Sequence, residues 1–374
     1  MINKLIFCFC ISFLTYITFL LRREKYLAIV WFVFFIVAMG FNYDNPDYLN
    51  YENSFKDSES EGIGSQYIWS LLKLLAFSCG ATYSQFVFFM TVLGFFVFAN
   101  ALLIIRKKVS FNLNIFCLLY FIYPFLLDVI QIRNYLAMCF VFLAFALIYK
   151  GDRWSYLGAV LSLIISIGFH TAAIVYLPIL LLNKIEKRQI TRKVGIVIAL
   201  LLLFLSFSPT LLQSTVGNLL TNFGDFMENR TYYLDGMKTD NGYLIAWLIT
   251  GGNIIISGLI LKKSRISLRN PESYKTPYAR LLCLTFWVNI CSLFYWDFYL
   301  FSMEFIRLVR NLIPINLVAF LAFLHANKCR KNELIIIVFL TIHLLTSWWF
   351  LYGSLWEDAV VPVVENNYVF DLFA

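Results

Sequence analysis

Charge is what this chain is shortest of. Lys, Arg, Asp and Glu make up 14% of its 374 residues, against 61% hydrophobic and 19% aromatic residues, and the mean hydropathy is +0.76. Long polar stretches are missing too. The longest, residues 42–66, 209–242 and 262–280, are too short to enclose a core of their own, which excludes a separate soluble domain. An A-x-A cleavage site is absent after the first apolar run, and the basic cluster follows that run instead of preceding it, so the expectation is an uncleaved first helix. No D-x-D, H-E-x-x-H, P-loop or G-x-S-x-G pattern occurs, which removes support for metal-dependent, nucleotide-driven and serine-hydrolase chemistry; no metal and no cofactor is expected. The eight cysteines show no paired C-x-x-C spacing and fall mostly inside apolar runs, where they act as small apolar fillers. Internal repeats are not apparent.

What the chain has in abundance is apolar runs of about the ~20 residues that span a bilayer as helix. The expected fold is therefore all-α, a single integral membrane domain over residues 1–374. Basic clusters close several of these runs: Arg22, Arg23 and Lys25; Arg106 to Lys108; Lys262, Lys263, Arg265 and Arg269. Lys and Arg accumulate in cytoplasmic turns, so these clusters orient the chain. The result is about twelve crossings, near 4–21, 26–41, 82–105, 111–127, 134–149, 154–169, 171–183, 194–208, 243–261, 279–295, 308–325 and 334–352, with both termini outside. Most Lys and Arg then lie inside and most acids outside. The net charge of +8 becomes a contact with membrane lipids, and nucleic acid is not expected as a partner. Two stretches need special treatment. Residues 66–79 read as an outer-face or re-entrant helix, because a full crossing would put Arg106 to Lys108 outside. Residues 154–183 read as two short half-helices meeting near His170, a break of the kind that lines protein-walled cavities.

A few basic residues remain outside this pattern. Arg133, Arg307 and Arg310 abut apolar helices at the outer boundary, where a guanidinium needs an anionic partner. A lipid-linked diphosphate is one such partner, since guanidinium groups grip phosphate oxygens bidentately. The alternative is local pairing, Arg133 with Asp128 and Arg307 with Glu304. In the outer segment N-P-D-Y-L-N-Y, Asn45 reads as an N-cap and Pro46 as the first helical residue. Asp44 and Asp47 flank that start and offer a general base; Tyr48 and Tyr51 offer rings for a sugar, or else interfacial packing. His170, after Gly168 at the helix break, is a second candidate base or a phosphate donor, against the plainer reading of a satisfied interior histidine.

These elements, taken in order, carry a resemblance. The outer D-Y-L-N-Y at Asp47 to Tyr51, F-I-Y-P-F followed by Q-I-R-N-Y-L-A through Gln131 and Arg133, G-F-H-T-A at Gly168 to Ala172, and F-I-R-L-V-R-N at Phe305 to Asn311 together resemble the EpsG/Wzy-type family of bacterial polysaccharide polymerases. The resemblance implies a multi-pass inner-membrane enzyme with its active site facing the periplasm. Its activity would be to join oligosaccharide repeats carried on undecaprenyl diphosphate into O-antigen or capsule, with a chain-length regulator as a candidate partner. It implies catalytic roles for Asp47, His170 and Arg133, and substrate-binding roles for Gln131, Arg307, Arg310, Tyr48, Tyr51 and Asp44. A flippase of lipid-linked oligosaccharide and a non-catalytic membrane subunit stand as the competing readings. A transporter would be expected to show repeat symmetry and charge along a continuous path through the membrane.

Overall fold

The structure, a computed structural model, describes residues 2–20, 25–182, 242–268, 275–295, 299, 305–327, 333–347 and 356–372. The expected crossing over 194–208, the basic turn near 184–193 and Glu304 lie outside them. The described chain is helical, with one isolated bridge between Asn42 and Asn367. Its order is α1 (Ile2–Leu20), α2 (Lys25–Gly40), the short α3 (Tyr48–Lys56), α4 (Ser58–Glu61) and α5 (Tyr67–Ser78), then α6 (Tyr83–Arg106), α7 (Leu113–Tyr120), α8 (Leu126–Ile130), α9 (Ile132–Lys150) and α10 (Arg153–Phe169). A 3₁₀ helix, Thr171–Leu181, follows. Then come α11 (Gly242–Lys263), α12 (Pro277–Cys291), α13 (Ile306–Arg310), α14 (Ile313–Ala326), α15 (Glu333–Ser347), α16 (Val361–Glu365) and α17 (Tyr368–Asp371).

Six described segments are long and apolar enough to cross a membrane: Tyr83–Arg106, Leu113–Ile130, Ile132–Lys150, Leu244–Lys263, Pro277–Tyr295 and Ile306–Ala326. The chain is thus a membrane protein, helical throughout its described residues and with six candidate spans among them. α1, α2, α10 and the 3₁₀ helix match expected crossings in position, and the expected crossing over 194–208 lies outside the described residues, so six of the about twelve expected crossings meet the spanning length among the described residues. The 12-residue α5, about 18 Å long at 1.5 Å per residue, is too short to span.

Local chemistry accounts for the helix ends. Thr82 and Gln85 form a reciprocal capping box at the start of α6, with N–H to oxygen distances of 3.3 and 2.9 Å. Asp152 caps α10 through the Ser155 N–H at 2.8 Å, and the backbone and side-chain hydrogen bonds from Ser155 bring its carboxyl down to about 2. Thr276 caps α12, with Pro277 at the first helical position. The start of α3 differs from expectation. Asp47, not Asn45, occupies the N-cap, and the helix opens at Tyr48. Asp44 has a positive φ of 53°, and the Asn45 side chain takes the Asp47 N–H at 3.2 Å, so the turn is complete before the helix begins.

The basic turns converge at one end. Lys108 Nζ donates to the Lys150 carbonyl at 3.1 Å, and Arg280 Nη2 donates to that of Ile148 at 3.2 Å. Gly151, at φ 85°, ends α9 in the left-handed region and lies against the Arg280 guanidinium, where a Cβ would collide. Arg133 stands at the opposite end of α9, 17 residues before Lys150, about 26 Å away along the axis and close to the ~30 Å of a hydrocarbon core. α9 is buried around nearly its whole circumference between α6 and α10, as a helix apolar on all sides must be. Two reciprocal amide pairs cross the interior. Asn134 and Asn311 exchange hydrogen bonds of 3.0 and 2.9 Å, and Asn289 and Asn316 exchange bonds of 2.7 and 3.1 Å.

Candidate functional site

The break at His170, at the end of α10 away from Arg153, sets the level of the site. α10 ends at Phe169, and His170 in extended conformation (φ −149°) leads into the 3₁₀ helix. Its Nδ1 receives the Ala172 N–H at 3.2 Å, and its Nε2 lies 3.4 Å from Nη1 of Arg307. A neutral imidazole has one lone-pair nitrogen, so it cannot accept both donors at once. The ring therefore has two alternative tautomers, each satisfying one neighbour.

Arg133, the second residue of α9, sits with its guanidinium carbon 4.3 Å from the centroid of the Tyr51 ring, and its Nη1 donates to Gln66 Oε1 at 2.8 Å. The ring quadrupole attracts the cation. The expected local partner, Asp128, is not engaged by it. The Nε of Arg133 is buried with no partner, an unsatisfied donor on a permanently charged group.

Tyr51 passes the contact on to Asp47, whose Oδ2 accepts its hydroxyl at 3.3 Å. Burial raises the Asp47 carboxyl above the ordinary value, and the Tyr51 hydroxyl with the charges of Arg133 and Arg307 offsets part of that rise. Both arginines thus act on one half-buried carboxylate. Burial likewise raises the Tyr51 hydroxyl. Asp47, Tyr51, Arg133, His170 and Arg307 therefore form one connected group at the end opposite the basic turns.

The remaining candidates stand elsewhere. Arg310 is 3% exposed; its Nη2 donates to Gln131 Oε1 at 2.7 Å and lies 3.7 Å from Asp128 Oδ1. Asp128 is fully buried and takes the Tyr120 hydroxyl on Oδ2 at 2.8 Å. Arg310 and Gln131 thus face inward, one helical turn from Arg307 and two residues from Arg133. Tyr48 is buried edge-on against Tyr83, at 5.0 Å between centroids, with its hydroxyl pushed up to about 12 by burial. Asp44 is exposed, and its carbonyl accepts from the Asn366 amide at 3.4 Å.

Gln66, Asp128 and Tyr120 hold site arginines or their partners yet carry no motif. Only the polarity of Asp128 inside an apolar run signals it. A hollow of about 640 Å³ lies at the other end, by Lys262, Arg265 and Phe286, next to residues outside the described set; it has no part in this cluster. Among the described residues no three His, Cys, Asp or Glu side chains gather as a metal site.

A family model described as EpsG family matches residues 25–362. No curated protein and no solved structure matches the chain.

Proposed function

The chain belongs to the EpsG family, and on that premise we propose that it polymerises a bacterial polysaccharide by moving a glycan from undecaprenyl diphosphate to the non-reducing end of a second lipid-linked repeat. Family membership supports a polysaccharide polymerase-like role in a membrane. The finer chemistry is our reading of the site.

In that reaction a hydroxyl oxygen of the acceptor sugar attacks the anomeric carbon of the donor. The bond from that carbon to the diphosphate oxygen breaks, and the diphosphate leaves with the electron pair. Arg133 and Arg307 hold the leaving group, and the gathering of two permanent cations around Asp47, Arg133 against Tyr51 and Arg307 beside His170, is the single observation that carries this assignment. Fixed cations aimed at developing negative charge lower the barrier more in a dry site than in water. The acceptor proton goes to Asp47 or to His170. Asp47 is the better-placed base on present geometry: burial raises its proton affinity, and it touches the Tyr51 ring that positions Arg133. The site then faces the periplasm, and the basic turns face the cytoplasm of the inner membrane. Arg310 and Gln131 act by fixing the arginines' helices. Long apolar lipid tails are accommodated by the bilayer itself, and a chain-length regulator sets when the polymer stops.

The test is polymer length in the native host. Arg133→Ala and Arg307→Ala should abolish long chains while single repeats still reach the outer face. Loss of all outer-face repeats would instead indicate a flippase, and unchanged chain length would remove both arginines from the site.

A further inference from the structure

The two tyrosines expected to stack on sugar are occupied, Tyr48 in the interior and Tyr51 on Arg133. Another pair stands open at the same end. Tyr43 and Tyr368 stack at 4.4 Å between centroids and 29° between planes, and Tyr368 is 45% exposed. Tyr43 donates its hydroxyl to Asp371 Oδ2 at 3.0 Å, and the exposed Asp44 adjoins it in the chain.

This pair is rigidly framed. The Tyr43 N–H donates to the Asn366 carbonyl at 3.1 Å and the Tyr368 N–H to the Phe41 carbonyl at 3.0 Å. The Asn42 amide reaches the Asn366 carbonyl at 2.7 Å, and the buried Asn367 amide reaches that of Val37 at 3.0 Å. A segment more than 320 residues away in sequence is thus locked onto the loop before α3. The same frame holds the candidate base: Asn45 donates to Asn42 at 2.9 Å and accepts the Asp47 N–H at 3.2 Å.

We propose that Tyr43 and Tyr368, rimmed by Asp44, Asp371 and the Asn366 amide, form a saccharide subsite for the glycan whose diphosphate lies at Arg133 and Arg307; this rests on the polymerase reading above. Aromatic faces pack against the C–H faces of a pyranose, and carboxylates and amides accept and donate to its hydroxyls. The rim charge selects the ligand. Two carboxylates repel a phosphate or a uronic acid and suit a neutral or amino sugar, so the diphosphate is directed to the arginines and the sugar to the tyrosine pair.

The test uses the full-length protein in nanodiscs and, as probe, the lipid-free repeat oligosaccharide released by mild acid from the host polysaccharide. Binding is read by saturation-transfer NMR. The wild type and Arg133→Ala should bind alike, since the probe has no phosphate. Tyr368→Ala and Asp371→Asn should weaken binding about tenfold or more, and Tyr368→Trp, which keeps a stacking face, should retain it. No binding by the wild type, unchanged binding by Tyr368→Ala, or loss in Tyr368→Trp with normal folding would each overturn the subsite. If Arg133→Ala and Arg307→Ala lose all outer-face repeats while Tyr368→Ala loses the oligosaccharide, the polymerase reading fails and the subsite survives.

Discussion

Arg310 and Gln131, 179 residues apart, share a 2.7 Å hydrogen bond between Nη2 and Oε1. Gln131 immediately precedes α9 and Arg310 ends α13, so this bond sets the distance between the helix that carries Arg133 and the one that carries Arg307. Its other support is the buried Asp128.

Removing only one charge of this buried pair should be costly. Arg310→Met leaves the Asp128 carboxylate uncompensated, a loss of about 3–5 kcal/mol, whereas Arg310→Met with Asp128→Leu removes both charges and should recover most of it. Thermal unfolding in detergent checks this. A single variant as stable as the wild type would show that the pair is not holding the helices.

Tyr51 tests the placement of Arg133. Tyr51→Phe keeps the ring under the guanidinium and loses only the hydroxyl to Asp47, so polymer length should change little. Tyr51→Ala removes the cation–π contact, roughly 0.5–2 kcal/mol, and should shorten chains markedly. Equal effects from the two substitutions would assign the role to the hydroxyl instead.

The Asp47 carboxyl gives a pH signature. Its value in the folded protein is raised by burial above the usual 3.8, so the folded state holds the proton more tightly than the unfolded state. That stabilisation is complete below 3.8 and is lost as pH rises through the raised value. Asp47→Asn should therefore raise the melting temperature relative to wild type near neutral pH, with the difference shrinking towards pH 4. It should also abolish polymerisation if Asp47 is the base. A melting temperature lowered at pH 7 would contradict the sign.

Gly168 lies where α10 meets α5. A Cβ there would meet Ile68 at 2.6 Å and the Tyr67 ring at 2.9 Å. Gly168→Ala should displace α5, and with it Gln66, destabilising by about 1–3 kcal/mol. Adding Ile68→Ala should restore part of the stability by making room. Failure of that second change to help would point to Tyr67 as the obstacle.

Hydropathy and chain patterning were enough to read the helical class and the break at His170, because each follows from local composition. Partner choice was not local. Asp128 and Arg133 are five residues apart and read as a pair, yet the chain breaks at Gln131 between α8 and α9, and the two side chains leave that break towards different neighbours. Arg133 finds Gln66 from 67 residues away, a contact with no sequence mark. The helix α3 opens at Tyr48 rather than at Pro46, and Asp47 before it makes no side-chain cap bond, while the Asn45 side chain takes the Asp47 N–H in the turn before the helix. Apolar composition marks α1, α2 and α10 as membrane helices but does not measure how far each one extends, and six of the about twelve expected crossings meet the spanning length among the described residues.

The amide exchange between Asn289 and Asn316 has an evolutionary corollary. Either residue replaced alone by leucine would leave its partner's side-chain oxygen without its donor among hydrocarbon, although the partner's amide N–H groups keep the Leu312 carbonyl or the Asn253 carbonyl and Ser257 hydroxyl, while replacing both removes both oxygens. The two positions can therefore drift only in concert, so lineages of such chains should carry either both asparagines or neither.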